Sequence, residues 1–210
     1  MFLFRIVVAL LIFSHPSILH SAQATLEFSP QELETGDVLL MSIPCYVCSL
    51  IELEEGTPYS HSAVVVREQS SWSVYEAWGV VKKTPLAEFL SRRRKNTAVA
   101  VLRPVFSNDP SSSARMMQLF EQKFKGLGFD ESYQWDNRDS AGRETYYCSE
   151  FVAKFLNPFL LSPIEPKPMH YLKYRAEWTR YFEGSPPDGK PGLSPGDLLR
   201  ATQMNRLGDL

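Results

Sequence analysis

The stretch Glu144-Thr-Tyr-Tyr-Cys-Ser-Glu-Phe-Val-Ala-Lys-Phe-Leu156 constrains this chain most, because it sets a lone cysteine where a helix should begin. Phe151, Val152, Phe155, Leu156 and Phe159 recur at three- and four-residue spacing, one apolar face of a helix that ends at Pro158 or soon after. Cys148 falls in its first turn. Unpaired N–H groups and the positive end of the helix dipole favour a thiolate there, and such a cysteine titrates below the free value of about 8.5. A small buried cysteine would read the same way, since free cysteine is among the most buried residue types, so its partners have to decide.

The chain opens Met-Phe-Leu-Phe-Arg5, continues with an apolar run from Ile6 to Phe13, and reaches Ser21-Ala-Gln-Ala24. This order predicts a secretory signal peptide over residues 1–24, cut after Ala24, and a mature chain of 25–210 forming a single domain. The run is about half the roughly 20 residues a membrane span requires, and His15 and Pro16 break its continuation, so no transmembrane segment is expected after cleavage. The expected address is the periplasm or the outside of the cell.

Export sharpens the residue arithmetic. The whole chain has 22 Lys and Arg against 24 Asp and Glu, and only Arg5 would be lost, leaving 21 minus 24, or three negative charges. That balance argues against nucleic acid, which calls for a basic face. Arg92-Arg93-Arg94-Lys95 comes after a helix-like segment and reads as a helix C-terminus. His15 and His20 would leave with the signal, so histidine chemistry rests on His61 or His170. Cys45, Cys48 and Cys148 leave one pair and one odd thiol in an oxidising compartment, with Cys45 and Cys48 as the simplest disulfide.

In chain order, Ser29 to Leu33 reads as a capped helical turn and Gly36 to Met41 as a turn feeding a strand. Pro44 to Ile51 starts a helix closed by Gly56 and Pro58. Tyr59 to Val66 is a strand buried on both faces with His61 at its start, and Ser73 to Trp78 is a second, alternating strand. Pro85 to Leu90 is a short helix and Ala98 to Pro104 a further strand. Ser111 to Phe124 is an amphipathic helix with a serine cap, Gly126 to Arg143 a long loop or short hairpin, and Ser185 to Pro195 a surface strap. The fold class is α+β, with a small antiparallel sheet packed against the cysteine helix.

A cysteine nucleophile requires a base, and the base a group that fixes its orientation. Antiparallel pairing of the two strands would set His61 beside Glu76 and within reach of Cys148. That makes His61 the expected base and Glu76 its orienter; His170, after Pro168, reads as a loop or cap histidine. Tyr59 and Tyr147 are candidate hydroxyl donors to an oxyanion, although core packing explains them equally. Glu150 is a candidate supporting carboxylate, with a surface or capping role as the plainer reading. Trp78 and Trp135 are candidate pocket walls.

Tyr-Ser-His61-Ser-Ala-Val-Val-Val, Val-Tyr-Glu76-Ala and Tyr-Tyr-Cys148-Ser-Glu-Phe-Val together resemble the circularly permuted papain-like hydrolases. These are the YiiX/YaeF-like branch of the NlpC-type superfamily, distantly similar to lecithin retinol acyltransferases. The resemblance extends to Gly36-Asp-Val-Leu39, Lys82-Lys-Thr-Pro-Leu86, Gly128-Phe-Asp130 and Gln134-Trp-Asp136. Two departures from the pattern are Ser62, where relatives carry a small or aliphatic residue, and Phe151, where they often carry leucine; neither is expected to touch the triad. The resemblance implies a permuted papain-like fold and a thiol hydrolase or acyltransferase acting on an amide, ester or thioester. Cys148 would attack, His61 would move protons, and Glu76 would hold the imidazolium. Cell-wall peptides and acyl lipids are the implied substrates, with no cofactor.

Two other classes compete. A thiol-disulfide oxidoreductase would use Cys45-x-x-Cys48, but the thioredoxin-like order of elements is missing. A non-catalytic binding module would use the same cleft to hold an acyl chain or peptide, yet the Cys, His and Glu set is intact. No metal site is expected, because Cys45, Cys48 and His61 find no fourth ligand at ordinary structural spacing. Oligomeric state is silent in the sequence.

Overall fold

The computed structural model describes residues 27 to 210, apart from 69 and 108 to 111. The expected signal peptide, its cleavage site and the Ser111 cap lie outside the described residues. The order of elements is β1 Val38–Met41, α1 Tyr46–Glu55, β2 His61–Glu68, β3 Ser71–Trp78, β4 Val80–Pro85, α2 Leu86–Ser91 and β5 Ala100–Pro104. Next come α3 Ser112–Leu119, β6 Gly128–Phe129, β7 Thr145–Tyr146, α4 Cys148–Leu156, β8 Lys167–Pro168, α5 Arg175–Tyr181, β9 Pro191–Gly192, α6 Pro195–Arg200 and β10 Met204–Asp209.

An eight-stranded sheet runs β10-β5-β1-β2-β3-β4-β6-β7, antiparallel in every pairing except β6 with β7. The sheet is thus larger than the strands legible in sequence. Strand β2 is central, and its unbroken apolar run splits by alternation. Val64 and Val66 face a core shared with Phe151, Val152 and Phe155 of α4, while Ala63 and Val65 face Leu86 and Phe89 on the other side. Burial on both faces is what the run predicted.

Several elements differ from the sequence reading. Lys82-Lys83-Thr84 lies in β4, because Gly79 at φ 69° reverses the chain after β3 and starts a tight second hairpin. The amphipathic helix is α-helical only to Leu119 and widens into a π turn over Phe120–Phe124, which stacks Phe120 on Tyr75 at 3.7 Å. Helices α5 and α6 and strand β10 had no strong periodic signal. Helix α6 starts at a capping box, with the Ser194 side chain bonded to Asp197 N and the Asp197 carboxylate to Ser194 N. Cys45 and Cys48 form a disulfide at the start of α1. Among the described residues, no helix is long and apolar enough to cross a membrane.

Candidate active site

Helix α4 begins abruptly. Tyr147, its N-cap, is extended and makes no side-chain capping bond, and the first helical bond runs from Phe151 N to Tyr147 O at 2.9 Å. The apolar face of α4 packs on β2 and β3, so the helix start lies over the first residues of β2. Cys148, a free and buried thiol, is set there with its Sγ 4.0 Å from the Ser60 carbonyl oxygen.

His61 is the first residue of β2 and shares a sheet face with Ala63 and Val65; Glu76, in β3, shares that face with Val74. The antiparallel register sets Val64 opposite Tyr75, which carries Glu76 to the start of β2. His61 Nε2 lies 2.7 Å from Glu76 Oε2, and both side chains are buried. That leaves Nδ1 for the thiol. Trp78 meets the imidazole edge-on at 5.3 Å and Phe89 lies at 5.8 Å, so two aromatic rings flank it.

Glu76 is itself held from behind. Its Oε1 accepts from Thr84 Oγ1 at 2.6 Å and from an Arg92 guanidinium nitrogen at 2.5 Å, and that guanidinium lies over the Trp78 ring at 4.9 Å. Burial alone would raise the carboxyl, but His61, Thr84 and Arg92 outweigh it and pull Glu76 down to about 2. Burial likewise opposes a charged imidazole, yet hydrogen bonds and charge from Cys148 and Glu76 raise His61 to about 9. For Cys148, burial favours the thiol, and His61 together with Ser62 reverses that and lowers its pKa. The arrangement stabilises a thiolate–imidazolium pair.

Over residues 32–207 the sequence matches a family of permuted papain-like amidase enzymes, YaeF/YiiX, the C92 family. The chain belongs to this family. A relative is YiiX of Escherichia coli (strain K12), an uncharacterized protein 27% identical over 121 residues. That match covers 58% of this chain and spans 56% of the relative's length. The fold is shared with the crystal structure of metalloprotein YiiX from Escherichia coli O157:H7, at a TM-score of 0.71 and 23% identity, covering 84% of this chain and 97% of that one.

In this C92-family chain the residues beside Cys148 also build the pocket wall. Tyr147 Oη accepts from Leu193 N at 2.9 Å and Ser149 Oγ donates to Leu193 O at 2.8 Å. The two neighbours of the cysteine thus hold both backbone groups of Leu193, and the segment read as a surface strap is buried here against the helix start. Beside Cys148 opens a slot walled by Ile51, Tyr133, Met169, Tyr171, Trp178 and Leu193. It is narrow, with a cavity of about 30 Å³. Glu54 shapes it, accepting from Leu172 N, Lys173 N and Trp178 Nε1, each at 3.1 Å, and so fastening the 171–178 segment to α1.

Tyr59 does not face this slot; its phenol interacts with Arg206 and Asp209 of β10. His170 stands at the slot's exposed rim, 3.4 Å from Asp188, separate from the Cys148–His61–Glu76 group. Glu150 is fully buried, contrary to a surface or capping role. It accepts from Asp136 N at 2.9 Å, pairs with Lys154 at 2.9 Å, and leaves Oε2 unpartnered. Trp135 packs beside Lys154, away from the slot, while Trp78 flanks His61. Ser62 follows His61 in β2 and is fully buried, and its Oγ has no hydrogen-bond partner. Arg92 and Tyr133 were missed. Arg92 sat in a basic run with no sign that it turns inward, and Tyr133 sat in a loop whose backbone at φ 50° cannot be foreseen.

Proposed function

We propose that this chain is an exported cysteine hydrolase of amide or ester bonds. The observation that carries the reading is a free thiol at an uncapped helix start, beside an imidazole whose far nitrogen is held 2.7 Å from a buried carboxylate. The Cys148 thiolate attacks the carbonyl carbon, and the oxygen takes the charge of the tetrahedral intermediate, with Cys148 N–H at the helix start as a donor to it. A donor of this kind is commonly worth about 3–4 kcal/mol in the transition state. Collapse breaks the bond to the leaving group, which takes its proton from the His61 imidazolium, and an acyl thioester remains. His61, now neutral, removes a proton from water, hydroxide adds to the thioester, and the acid leaves as the thiolate returns. Glu76 keeps Nε2 engaged through both halves. Interception of the thioester by an acceptor other than water would make the same site an acyltransferase.

The aromatic and aliphatic slot beside Cys148 favours an apolar acyl group, as in acylated lipids; cell-wall peptides are the second substrate class. The disulfide and the N-terminal signal pattern support export. The solved relative is described as a metalloprotein, but the donors here do not fit a metal. Among the described residues no three His, Cys, Asp or Glu side chains are grouped to hold one. Cys45 and Cys48 are oxidised together, and both Glu76 oxygens are already engaged by His61, Thr84 and Arg92.

The test is hydrolysis of acyl-lipid and peptidoglycan-peptide panels by the purified protein and by Cys148→Ser and His61→Ala. Turnover lost at least about a thousandfold in both variants, with native circular dichroism, is the expected result. Full turnover in either variant would remove the reading.

A further inference from the structure

The first turn of α4 does more than present the cysteine. Glu150, two residues after Cys148, is fully buried, with Oε1 accepting from Asp136 N at 2.9 Å and Oε2 unpartnered. A buried carboxylate with one oxygen unbonded costs free energy that an apolar side chain would avoid. What it holds is the loop of residues 130–137. At the near end of that loop Asp130 N donates to Tyr146 O at 3.1 Å, and the buried Asp130 carboxylate accepts from Ser132 N, Gln134 N and Asn137 Nδ2 at 2.8 to 2.9 Å. At the far end Glu150 binds the Asp136 amide, while Lys154 pairs with the Asp136 carboxylate at 2.5 Å and lies over the Trp135 ring at 4.9 Å. Between these ties Tyr133 and Asp136 have φ 50° and 63°, a left-handed backbone that residues other than glycine keep only where their surroundings fix it.

The loop matters because of Tyr133, which lines the slot beside Cys148 and meets the Tyr147 ring edge-on at 5.6 Å. Residues around the helix start thus hold two of the slot's walls. Tyr147 and Ser149 hold Leu193, and Glu150 holds the loop that carries Tyr133. We propose that Glu150 is a positioning residue for the acyl slot: by anchoring Asp136 N it keeps Tyr133 close in, and so restricts the site to slim, unbranched acyl groups. The proposal rests on the slot taking the acyl group of a substrate attacked by Cys148. Glu150 itself touches neither the sulfur nor the reacting carbonyl, and it makes and breaks no bond. Its effect is on which acyl groups fit, through the width of the slot.

The experiment compares hydrolysis of p-nitrophenyl valerate with that of its branched isomer, p-nitrophenyl isovalerate, by the wild type, Glu150→Gln and Glu150→Met, with iodoacetamide labelling of Cys148 measured alongside. Gln and Met are close in volume, and only Gln keeps an acceptor for the Asp136 amide. The wild type should favour the linear ester by about tenfold in kcat/KM, the scale on which a narrow apolar pocket resolves one carbon. Gln should keep that ratio, and Met should lose most of it, with the branched ester gaining through a lower KM. Tyr133→Ala, which removes the wall itself, should repeat the loss. A general weakening of the fold would slow both esters alike and leave the ratio unchanged. Glu150→Asp, which keeps the charge but shortens the reach, replaces Met in the comparison if Met does not fold. Equal ratios in Gln and Met, or no preference in the wild type, would overturn the role of Glu150 while leaving the nucleophile intact. A wild-type Cys148 that resists iodoacetamide and cleaves neither ester would instead remove the nucleophile, and the proposal with it.

Discussion

His61 Nε2 stands 2.7 Å from Glu76 Oε2, and Glu76 is in turn bonded through its other oxygen to Thr84 and Arg92. The imidazole is therefore fixed in one orientation by a carboxylate that stays ionised. This sets the pH behaviour. His61 is raised to about 9, above its ordinary 6.5, so its contribution to stability is complete below 6.5 and is lost as pH rises through 9. The lowered thiol of Cys148 has the opposite slope, gaining as pH rises toward its ordinary 9.0, so the two offset one another near neutrality. Glu76, at about 2 instead of 4.5, contributes above 4.5 and loses that contribution as pH falls toward 2. Activity is expected to fall above about 9, where the imidazolium is lost. A pH–rate profile of kcat/KM with no alkaline limb there would contradict this.

Behind His61 and Thr84, Arg92 helps to keep the Glu76 carboxylate ionised, and its guanidinium lies over Trp78. Arg92→Leu should therefore lower kcat/KM by roughly tenfold and cost about 1–3 kcal/mol, the range for a charge-assisted hydrogen bond in a buried site. Its acid limb should also move upward. Thermal melting and a pH profile of the variant test both parts, and an unchanged acid limb would mean that Arg92 only packs.

Glu150 behaves in the reverse sense. Burial pushes it up to about 7, against the pull of the Asp136 amide and Lys154, so it subtracts stability as pH rises from 4.5 through 7. Glu150→Gln keeps an acceptor for the Asp136 amide and removes the buried charge. Lys154 retains Asp136 as a partner at 2.5 Å. The variant should gain up to about 3 kcal/mol over the wild type above neutral pH and nothing at acid pH, the size set by the displacement of Glu150 from 4.5 to about 7. Melting curves at both pH values decide it, and equal destabilisation at both would refute the assignment.

The Cys45–Cys48 disulfide closes only a three-residue separation at the α1 N-terminus, where Cys45 Sγ accepts from Cys48 N at 3.0 Å. Short loops gain least from a cross-link. Replacing both cysteines with serine should cost no more than about 2 kcal/mol, since a serine hydroxyl also caps a helix. Reactivity of Cys148 should persist. Insulin reduction by the wild type would revive the oxidoreductase reading.

The nucleophile helix, both strands that carry His61 and Glu76, and the order in which they occur were legible because each has strong local periodicity. Antiparallel pairing then leaves little choice about which residues meet. Arg92 was not legible: a run of four basic residues reads as a solvated helix end, and only the second hairpin shows that the first of them folds back under Glu76. Ser62 was noticed as a departure, but which face it takes depends on the register of β2 against α4. Helices α5 and α6 and strand β10 are short and lie among Pro and Gly residues, and they are held by distant partners. Glu54 does this for the segment leading into α5, and β5 does it for β10. Such tertiary partners leave no mark in the local sequence.

The central claim is that Cys148 is an ion-paired nucleophile activated by His61. It is tested most directly by alkylating the purified protein with a thiol probe across about pH 4 to pH 9, a range that spans the ordinary cysteine pKa. Labelling is read at each cysteine by mass spectrometry, in the wild type and in His61→Ala. The account predicts that Cys148 is labelled well below neutral pH in the wild type and only near the ordinary thiol range in the variant. A Cys148 that stays inert throughout, or whose profile does not change without His61, would contradict it.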